Sequence, residues 1–204
     1  MRLIRLSKIA VMAALLAATL VPLGATTIDF ELGGPCLFGA TSPLTNQYAG
    51  QGATFSGPAP GEGGAVLNEC SNFGINAHSG VDFLAFNNST YALGPETISF
   101  STLQSSVSIW AGDGTEANVF TLTGYDSTGG TLGSNSLNNI IGQWQLLSVS
   151  ANNIASVQLS YTGQVAVFDD LNFTSTVTPE PGTLVLLCSG LLGAVGVFRR
   201  RINL

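Results

Sequence analysis

Two neighbouring stretches of the sequence decide the fold, SVQLSY at residues 156–161 and VAVFDDLNF at residues 165–173. In both stretches apolar and polar side chains alternate, and this period of two predicts antiparallel strands that each bury one face. The side chains that the alternation places inward are Val157, Leu159 and Tyr161 in the first stretch and Val165, Val167, Leu171 and Phe173 in the second.

The same alternation recurs through the middle of the chain, between clusters of Gly, Asn, Ser and Pro. The tract YDSTGG at 125–130 lies between two of the alternating segments and predicts a hairpin turn. So many short strands predict an all-β domain over residues 26–176, folded as a two-sheet, jelly-roll-like β-sandwich. The further predicted strands are 27–32, 52–56, 65–69, 81–86, 97–102, 106–111, 118–125, 130–136 and 144–150.

The charges are distributed very unevenly along the chain. All 6 Lys and Arg residues lie near its two ends, and all 12 Asp and Glu residues lie between them. A domain without these cations cannot hold phosphates, so nucleic acid is excluded as a partner. Because no Lys or Arg is available, a carboxylate removed from water must rely on hydrogen bonds, a raised pKa or a metal ion.

The first 25 residues have the pattern of a secretory signal peptide. Basic residues precede an apolar run at 9–20, and Pro22 follows as a helix breaker. The small residues Gly24 and Ala25 then precede a polar threonine, which predicts cleavage after Ala25. A retained N-terminal anchor is the alternative, although the apolar run is short for a bilayer.

The end of the chain, residues 177–204, combines three features. A Pro-Glu-Pro sequence precedes an uncharged apolar segment at 182–198, and three arginines follow it. The segment is long enough to predict a single transmembrane helix. The arginines are expected to stay in the cytoplasm, so the preceding domain is predicted to lie outside. The residues of this motif are Pro179, Glu180, Pro181, Arg199, Arg200 and Arg201.

This three-part tail closely resembles the PEP-CTERM sorting signal, a tail also called the C-terminal domain of ice-binding proteins. The resemblance implies export by a Gram-negative bacterium that makes exopolysaccharide. It also implies an intermediate anchored in the inner membrane, cleavage near 179–181 by an exosortase-like membrane protease, and delivery to the cell surface or extracellular matrix. An ordinary C-terminal anchor that is never cleaved is the alternative.

Cys36 and Cys70 are the only cysteines in the exported part of the chain. We expect a disulfide between them, because the compartment is oxidising. Two free thiols are the alternative. The segment between the cysteines contains GPAPGEGG at 57–64, so a packed core is not expected there.

The alternation places Asp169 toward the core and Asp170 on the opposite face. We expect Ca²⁺ to compensate the charge of Asp169, because this hard ion collects carboxylate and carbonyl oxygens. The opening IDFEL and the closing DDLNF resemble jelly-roll carbohydrate-binding modules and galactose-binding-like domains, in which calcium joins a first and a last strand that run side by side. The resemblance implies Glu31 and Asp169 as ligands, with Asp29 or Asp170 as helpers. The alternative is that Asp169 lies at the rim and accepts backbone N–H bonds.

Sugar rings bind to aromatic side chains that have polar neighbours. Trp110, Tyr125 and Trp144 have such neighbours and are the candidates for stacking against a ligand. The alternative is that these rings close the ends of the sandwich. The single histidine, His78, lies in the loop-like NAHSG at 76–80, which favours an exposed or turn-capping histidine over a catalytic base.

Together these features predict a non-enzymatic surface or matrix protein that contacts exopolysaccharide through a calcium-stabilised β-sandwich. The alternative is a secreted glycan hydrolase or lyase, which requires two carboxylates across a cleft. Ice binding predicts a flat array of threonines, of which the sequence offers one pair, Thr121 and Thr123. The candidate carboxylates for the enzyme are Glu62, Glu69, Glu96 and Glu116.

Overall fold

The computed structural model describes residues 24–176 of the chain as nine β-strands. Within these residues there is no α-helix, and three short 3-10 turns lie at Phe38–Ala40, Ala49–Gln51 and Glu69–Ser71. The all-β prediction is therefore confirmed. The strands are β1 (Ala25–Ile28), β2 (Ala53–Ser56), β3 (Ala65–Asn68), β4 (Asp82–Asn87), β5 (Glu96–Gly112), β6 (Val119–Tyr125), β7 (Thr131–Asn138), β8 (Gln145–Tyr161) and β9 (Val165–Ser175).

The strands form two packed layers that share β5 and β8. The first layer has the order β2, the first half of β5, the second half of β8, β6 and β7. In the second layer, the other half of β5 lies between the other half of β8 and β9. β9 also pairs with β4 and β1, and β3 lies at the edge beside β4. This arrangement is the predicted two-sheet β-sandwich.

The sequence predicts four strands where the structure has the two long strands β5 and β8, of 17 residues each. Their mutual register shifts between Ser99 and Gln104 and again between Gln104 and Ser106. A bulge bends a strand without ending it, so each long strand leaves one layer and enters the other. The expected break in β5 is therefore a bend.

A further bulge, in β9, does not show in the sequence pattern. Trp110 of β5 pairs with Asp169, whereas Ser108, two residues earlier, pairs with Asn172, three residues later. β9 therefore carries one extra residue at this point, and Asp170 has a left-handed φ of 47°. An extra residue moves every later side chain of the strand to the other face.

This bulge corrects the predicted faces of β9. Phe168 before it and Leu171 after it both lie in the main core between the layers. Val165 and Val167 pack in a smaller cluster instead. The expectation that these two valines face the same side as Leu171 is therefore wrong. Asp169 is fully buried, but it shares the side of Val167 rather than that of the main core.

The main core lies between the two layers and is rich in aromatic rings. Phe168 of β9 meets Phe120 of β6 across the layers, edge to face, with ring centroids 5.7 Å apart. It also meets Phe86 of the neighbouring strand β4 at 5.6 Å. Such pairs add about 0.5–1.5 kcal/mol beyond the burial of their surface. Phe168 thus joins both layers to one core.

The predicted disulfide is present: Cys36 and Cys70 are bonded, with their Cα atoms 5.2 Å apart. The expectation about the segment between them is wrong. Leu44, Tyr48 and Phe55 from this segment are buried in the main core. The Gly- and Pro-rich tract is only the connection between β2 and β3, and the residues on either side of it carry the apolar side chains.

The hairpin predicted at 125–130 joins β6 to β7. The N–H of Asp126 donates to the carbonyl of Gly130, and the carboxylate of Asp126 accepts from the hydroxyl of Thr128 at 2.7 Å. The bond from the Thr128 hydroxyl, together with bonds from the N–H groups of Gly130 and Thr128, favours the charged carboxylate and lowers the pKa of Asp126.

The first and last strands run side by side as predicted, with Ala25 opposite Thr174. The signal peptide, apart from its last two residues, and the whole sorting tail lie outside the described residues. Within 24–176, no helix is long and apolar enough to cross a membrane.

Candidate functional site

The candidate site lies on the outer side of the second layer. Trp110 lies at its centre. The side chain of Trp110 points outward, because its neighbours Ile109 and Ala111 in β5 point into the main core. In the ladder Trp110 is flanked by Asp169 of β9 and by Leu146 of β8. The loop that precedes β4, residues 73–81, runs beside this part of the layer.

His78 of that loop stacks on the indole of Trp110. The ring centroids are 4.2 Å apart and the planes differ by 19°. Trp144 meets the same imidazole edge to face at 5.7 Å, and its indole N–H donates to the carbonyl of Asn76 at 3.0 Å. Three rings far apart in the sequence thus form one partly exposed aromatic group.

Asp170 fixes the orientation of the imidazole. Its Oδ2 lies 2.6 Å from Nδ1 of His78, and its Oδ1 accepts the hydroxyl of Ser79 at 2.7 Å. The exposed fraction of the side chain is 29% for His78 and 16% for Asp170, so the pair is only partly shielded from water. The bulge supplies this geometry, because it turns Asp170 out of the regular alternation of β9.

Asp169, next in the chain, anchors the backbone of the same loop. Its Oδ2 accepts the N–H groups of His78 at 2.9 Å and of Ser79 at 3.0 Å, and its Oδ1 accepts that of Asp170 at 2.8 Å. Burial nevertheless raises the pKa of Asp169 to about 6. The contacts of Asp169 are therefore the backbone N–H bonds that the sequence analysis gave as the alternative to calcium.

Two other carboxylates hold the loop on either side. Glu69 accepts the N–H of Ala77 at 3.0 Å, and Oε1 of Glu31 accepts those of Val81 at 2.8 Å and Asp82 at 2.9 Å. A side chain at Gly80, whose φ is 58°, would collide with the Glu31 carboxylate. In a domain without Lys or Arg, carboxylates position the His78 loop through backbone N–H groups instead of salt bridges.

The four predicted calcium ligands are placed as follows. Glu31, Asp169 and Asp170 all contact the His78 loop, and Asp29 is exposed and accepts the N–H of Glu31 at 3.3 Å. N–H donors occupy three of the about four lone-pair positions of Asp169. Among the described residues, no group of three or more His, Cys, Asp and Glu side chains could hold a metal ion. Calcium at these carboxylates stays a prediction.

A thermal melt of the full chain tests the calcium prediction. At fixed ionic strength, bound calcium would raise the melting temperature relative to chelator, and Asp169→Asn would remove that rise. Asp126→Asn alters a carboxylate in an exposed turn and serves as the control that should keep the wild-type response. Equal melting temperatures in calcium and in chelator would refute the prediction.

A polar row adjoins the aromatic group on the same face. Ser108 lies between Ser148 of β8 and Asn172 of β9. Asn172 in turn faces Thr27 of β1, whose hydroxyl donates to the Asn172 amide oxygen at 2.5 Å. Hydroxyl and amide groups beside stacked rings are the combination that binds sugars.

Of the three predicted stacking residues, two come together. Trp110 and Trp144 share the imidazole of His78, whereas Tyr125 ends β6 in the other layer. The role of His78 in the site was not predicted, because its loop-like context favoured an exposed or turn-capping histidine. Its partner Asp170 is 92 residues away in the sequence, and no local pattern connects the two.

Comparisons with known proteins support the sorting prediction directly. A family model described as the PEP-CTERM protein-sorting motif matches residues 177–201. The motif indicates export and sorting to the cell surface through a membrane-associated intermediate, processed by an exosortase-type system. A search of the curated proteins finds no match.

Several solved structures resemble the chain at low sequence identity. The K2 cleaved adhesin domain of Lys-gingipain is 15% identical, with 74% of this chain and 99% of that one covered and a TM-score of 0.49. A DUF4465 family protein from Bacteroides caccae is 13% identical, with 78% and 96% covered and a TM-score of 0.47. The CBM22-1 xylan-binding domain from Paenibacillus barcinonensis is 16% identical, with 76% and 96% covered and a TM-score of 0.41. A carbohydrate-binding module is thus among the similar structures, as the resemblance predicted, but at these values the likeness identifies no ligand.

Proposed function

We propose that the exported domain is a non-enzymatic binding module for a neutral polysaccharide of the cell surface or matrix, with exopolysaccharide as the natural partner. The observation that carries this proposal is the stack of His78 on Trp110, held by Asp170 beside a row of hydroxyl and amide groups. A sugar ring can lie against the aromatic group while its hydroxyls bond to the polar row.

The charge of the domain supports a neutral ligand. The sequence has no Lys or Arg between residues 9 and 198, and Asp169 and Asp170 lie directly at the site. An anionic polymer would be repelled and would find no cation for its carboxylates or sulfates. A polymer that offers only hydroxyl groups is not repelled and needs no cation as a partner.

The arrangement of the glutamates favours binding over hydrolysis. Glu69 is bonded to the loop residue Ala77, Glu96 to Gly64, and Glu116 to Val165. These bonds hold the three carboxylates against different segments of the chain. A cavity of about 600 Å³ beside the Gly- and Pro-rich tract has one carboxylate in its lining, Glu62, whereas glycan hydrolysis requires a pair.

The route to the surface forms the second part of the proposal. We infer that a Gram-negative cell exports the chain, holds it at the inner membrane by the segment 182–198, and cleaves it near 179–181. Replacing Pro179 and Pro181 by alanine together is expected to leave the full-length chain in the membrane fraction. Cell fractionation with an antibody to the domain measures this, and release at the wild-type level would contradict the proposed cleavage.

Loss of the central indole tests the binding site. Trp110→Ala in the full chain is expected to weaken binding of soluble glucomannan or dextran at this site about 10-fold or more, because it removes the apolar surface that a sugar ring would cover, at about 25 cal/mol per Å². Affinity electrophoresis or calorimetry measures the change. Leu103→Ala removes another exposed apolar side chain of β5, outside the site, and should bind as the wild type does.

Asp170→Asn tests whether the orientation of His78 matters for binding, without removing an aromatic ring. Asparagine tolerates the left-handed φ and keeps the shape of the side chain, but it lacks the charge that holds His78. We expect a smaller loss of affinity than in Trp110→Ala. Unchanged binding in both variants would rule out this face as the site.

A further inference from the structure

The outer face of the first layer is covered by uncharged polar side chains that lie in register. One row crosses all five strands of this layer through Ser134, Thr123, Gln158, Thr97 and Ser56. Thr123, Gln158 and Thr97 point outward, because the residues on either side of each one in its strand are buried. Ser134 and Ser56, which pair with Thr123 and Thr97, are exposed. These rows do not show in the sequence, because alternation along one strand does not indicate which strands are neighbours.

A second row runs parallel to the first and contains an aromatic ring. It passes through Thr131, Tyr125, Ser156, Ser99 and Thr54. Tyr125, a predicted stacking residue, therefore lies among hydroxyl groups on both sides. Neighbouring strands are about 4.8 Å apart and outward residues along a strand about 6.8 Å apart, so the face presents a dense lattice of hydroxyls.

The hydroxyls of this face already bond to one another at its β7 edge. Thr123 and Ser134 lie 3.1 Å apart between their hydroxyl oxygens, and Thr121 and Ser136 lie 2.8 Å apart. Each hydroxyl can donate one bond and accept two, so these pairs keep capacity for a further partner.

Charge singles out this face within an acidic domain. The two rows contain no Asp, Glu, His, Lys or Arg, although the chain carries 12 Asp and Glu residues. Two carboxylates adjoin the rows in the sequence: Asp126 is bonded into the hairpin turn, and Glu96 is fully buried. A neutral polymer with many hydroxyls can approach here without desolvating a charge.

We propose that this face is a second polysaccharide-binding surface, and that the domain joins two neutral glycan chains, one on each side of the sandwich. The proposal takes its ligand class from the proposed function but rests on different residues. The two packed sheets are about 10 Å apart and their outer faces point in opposite directions. One rigid glycan strand therefore cannot occupy both faces, and the second site adds a cross-link rather than affinity for the same strand.

The experiment uses the full chain with soluble glucomannan and dextran as probes. Thr123→Glu with Gln158→Glu adds two charges at the centre of the face. Leu37→Glu with Asn152→Glu adds the same charge at exposed positions elsewhere and is the matched control. All four positions are solvent-accessible, and a thermal melt verifies that each variant is folded.

Binding stoichiometry and light scattering give the readout. We expect two sites per wild-type chain and scattering that rises and then falls as protein is added, which is typical of a bivalent cross-linker. The face variant and Trp110→Ala should each keep one site and lose the scattering, and their combination should lose all binding. The control should behave as the wild type does.

Other outcomes distinguish the second surface from the proposed function. If Trp110→Ala abolishes all binding and the face variant changes nothing, the second surface does not exist and the proposed function stands. If only the face variant loses binding, the second surface stands and the Trp110 site is refuted. Absence of binding to both probes refutes both proposals, and cross-linking by a chain that is dimeric without glycan refutes the bivalent domain.

Discussion

Glu96→Gln is expected to abolish most of the dependence of stability on pH between about 5 and 8. Glu96 is fully buried at the start of β5, and burial raises its pKa from 4.5 to about 8. Its Oε2 accepts the N–H of Gly64 at 2.7 Å, while Oε1 is buried without a partner among the described residues. The folded chain therefore keeps this carboxyl neutral at pH 7, where the unfolded chain has it charged.

The sign of the effect follows from proton binding. Between the unfolded pKa near 4.5 and the folded pKa near 8, the folded state binds one more proton at Glu96, so the free energy of unfolding falls as pH rises. Over this range the loss is on the order of 4 kcal/mol, at about 1.36 kcal/mol per pKa unit. Glutamine fits the same space but cannot ionise, so its curve should be nearly flat from pH 6.5 to 8.

Urea unfolding at pH 5, 6.5 and 8 measures this difference. Asp169 titrates in the same direction, but its contribution ends near its folded pKa of about 6. The slope between pH 6.5 and 8 therefore belongs to Glu96. Glu62→Gln, in the surface tract between β2 and β3, is the control that should keep the wild-type slope. A wild-type stability that is level from pH 6.5 to 8 would contradict the buried neutral carboxyl.

Removal of the disulfide is expected to lower the free energy of unfolding by about 3–4 kcal/mol, from the entropy of closing a loop of this length. Cys36 and Cys70 are 34 residues apart in the sequence. The loop carries Leu44, Tyr48 and Phe55 into the main core, so loosening it exposes buried apolar surface. For a domain of this size the loss corresponds to about 10 °C in melting temperature.

The double variant Cys36→Ser with Cys70→Ser tests this expectation without leaving an unpaired thiol from the pair. Its melting temperature should be low and insensitive to reductant, and the wild type in reductant should approach the same value. A variant that melts at the wild-type temperature would show that core packing alone holds the loop.

The strands of the fold were predictable from the sequence because alternation is a local property. Each of the predicted segments overlaps a strand of the structure, and the hairpin at 125–130 is where the turn residues indicated. Bulges were not predictable in the same way. The extra residue at Asp170 and the bends in β5 and β8 depend on the partner strand, whose register the sequence does not state.

In the candidate site, too, local patterns were predictable and contacts between distant residues were not. Trp110 and Trp144 were recognised from their polar neighbours, and Asp169 from the need of a buried carboxylate for partners. The meeting of His78 with Trp110 and Asp170 was not recognised, because His78 and Asp170 are 92 residues apart and the backbone of the loop is held on β9 by N–H bonds to Asp169. Backbone donors are present at almost every residue, so no sequence pattern marks the ones that are used.

The position of β9 has a consequence for the timing of export. β9 lies between β4 and β5 and also pairs with β1. Until Val165–Ser175 has been delivered, β1 has no partner strand, and β4 and β5 each have one unpaired edge. These residues directly precede the sorting motif at 177–201. The domain therefore cannot complete its folding until almost the entire chain has been translocated. A chain that stops before β9 keeps unpaired strand edges, which promote aggregation and degradation. Completion of the fold and readiness for sorting thus coincide in one short stretch of the chain.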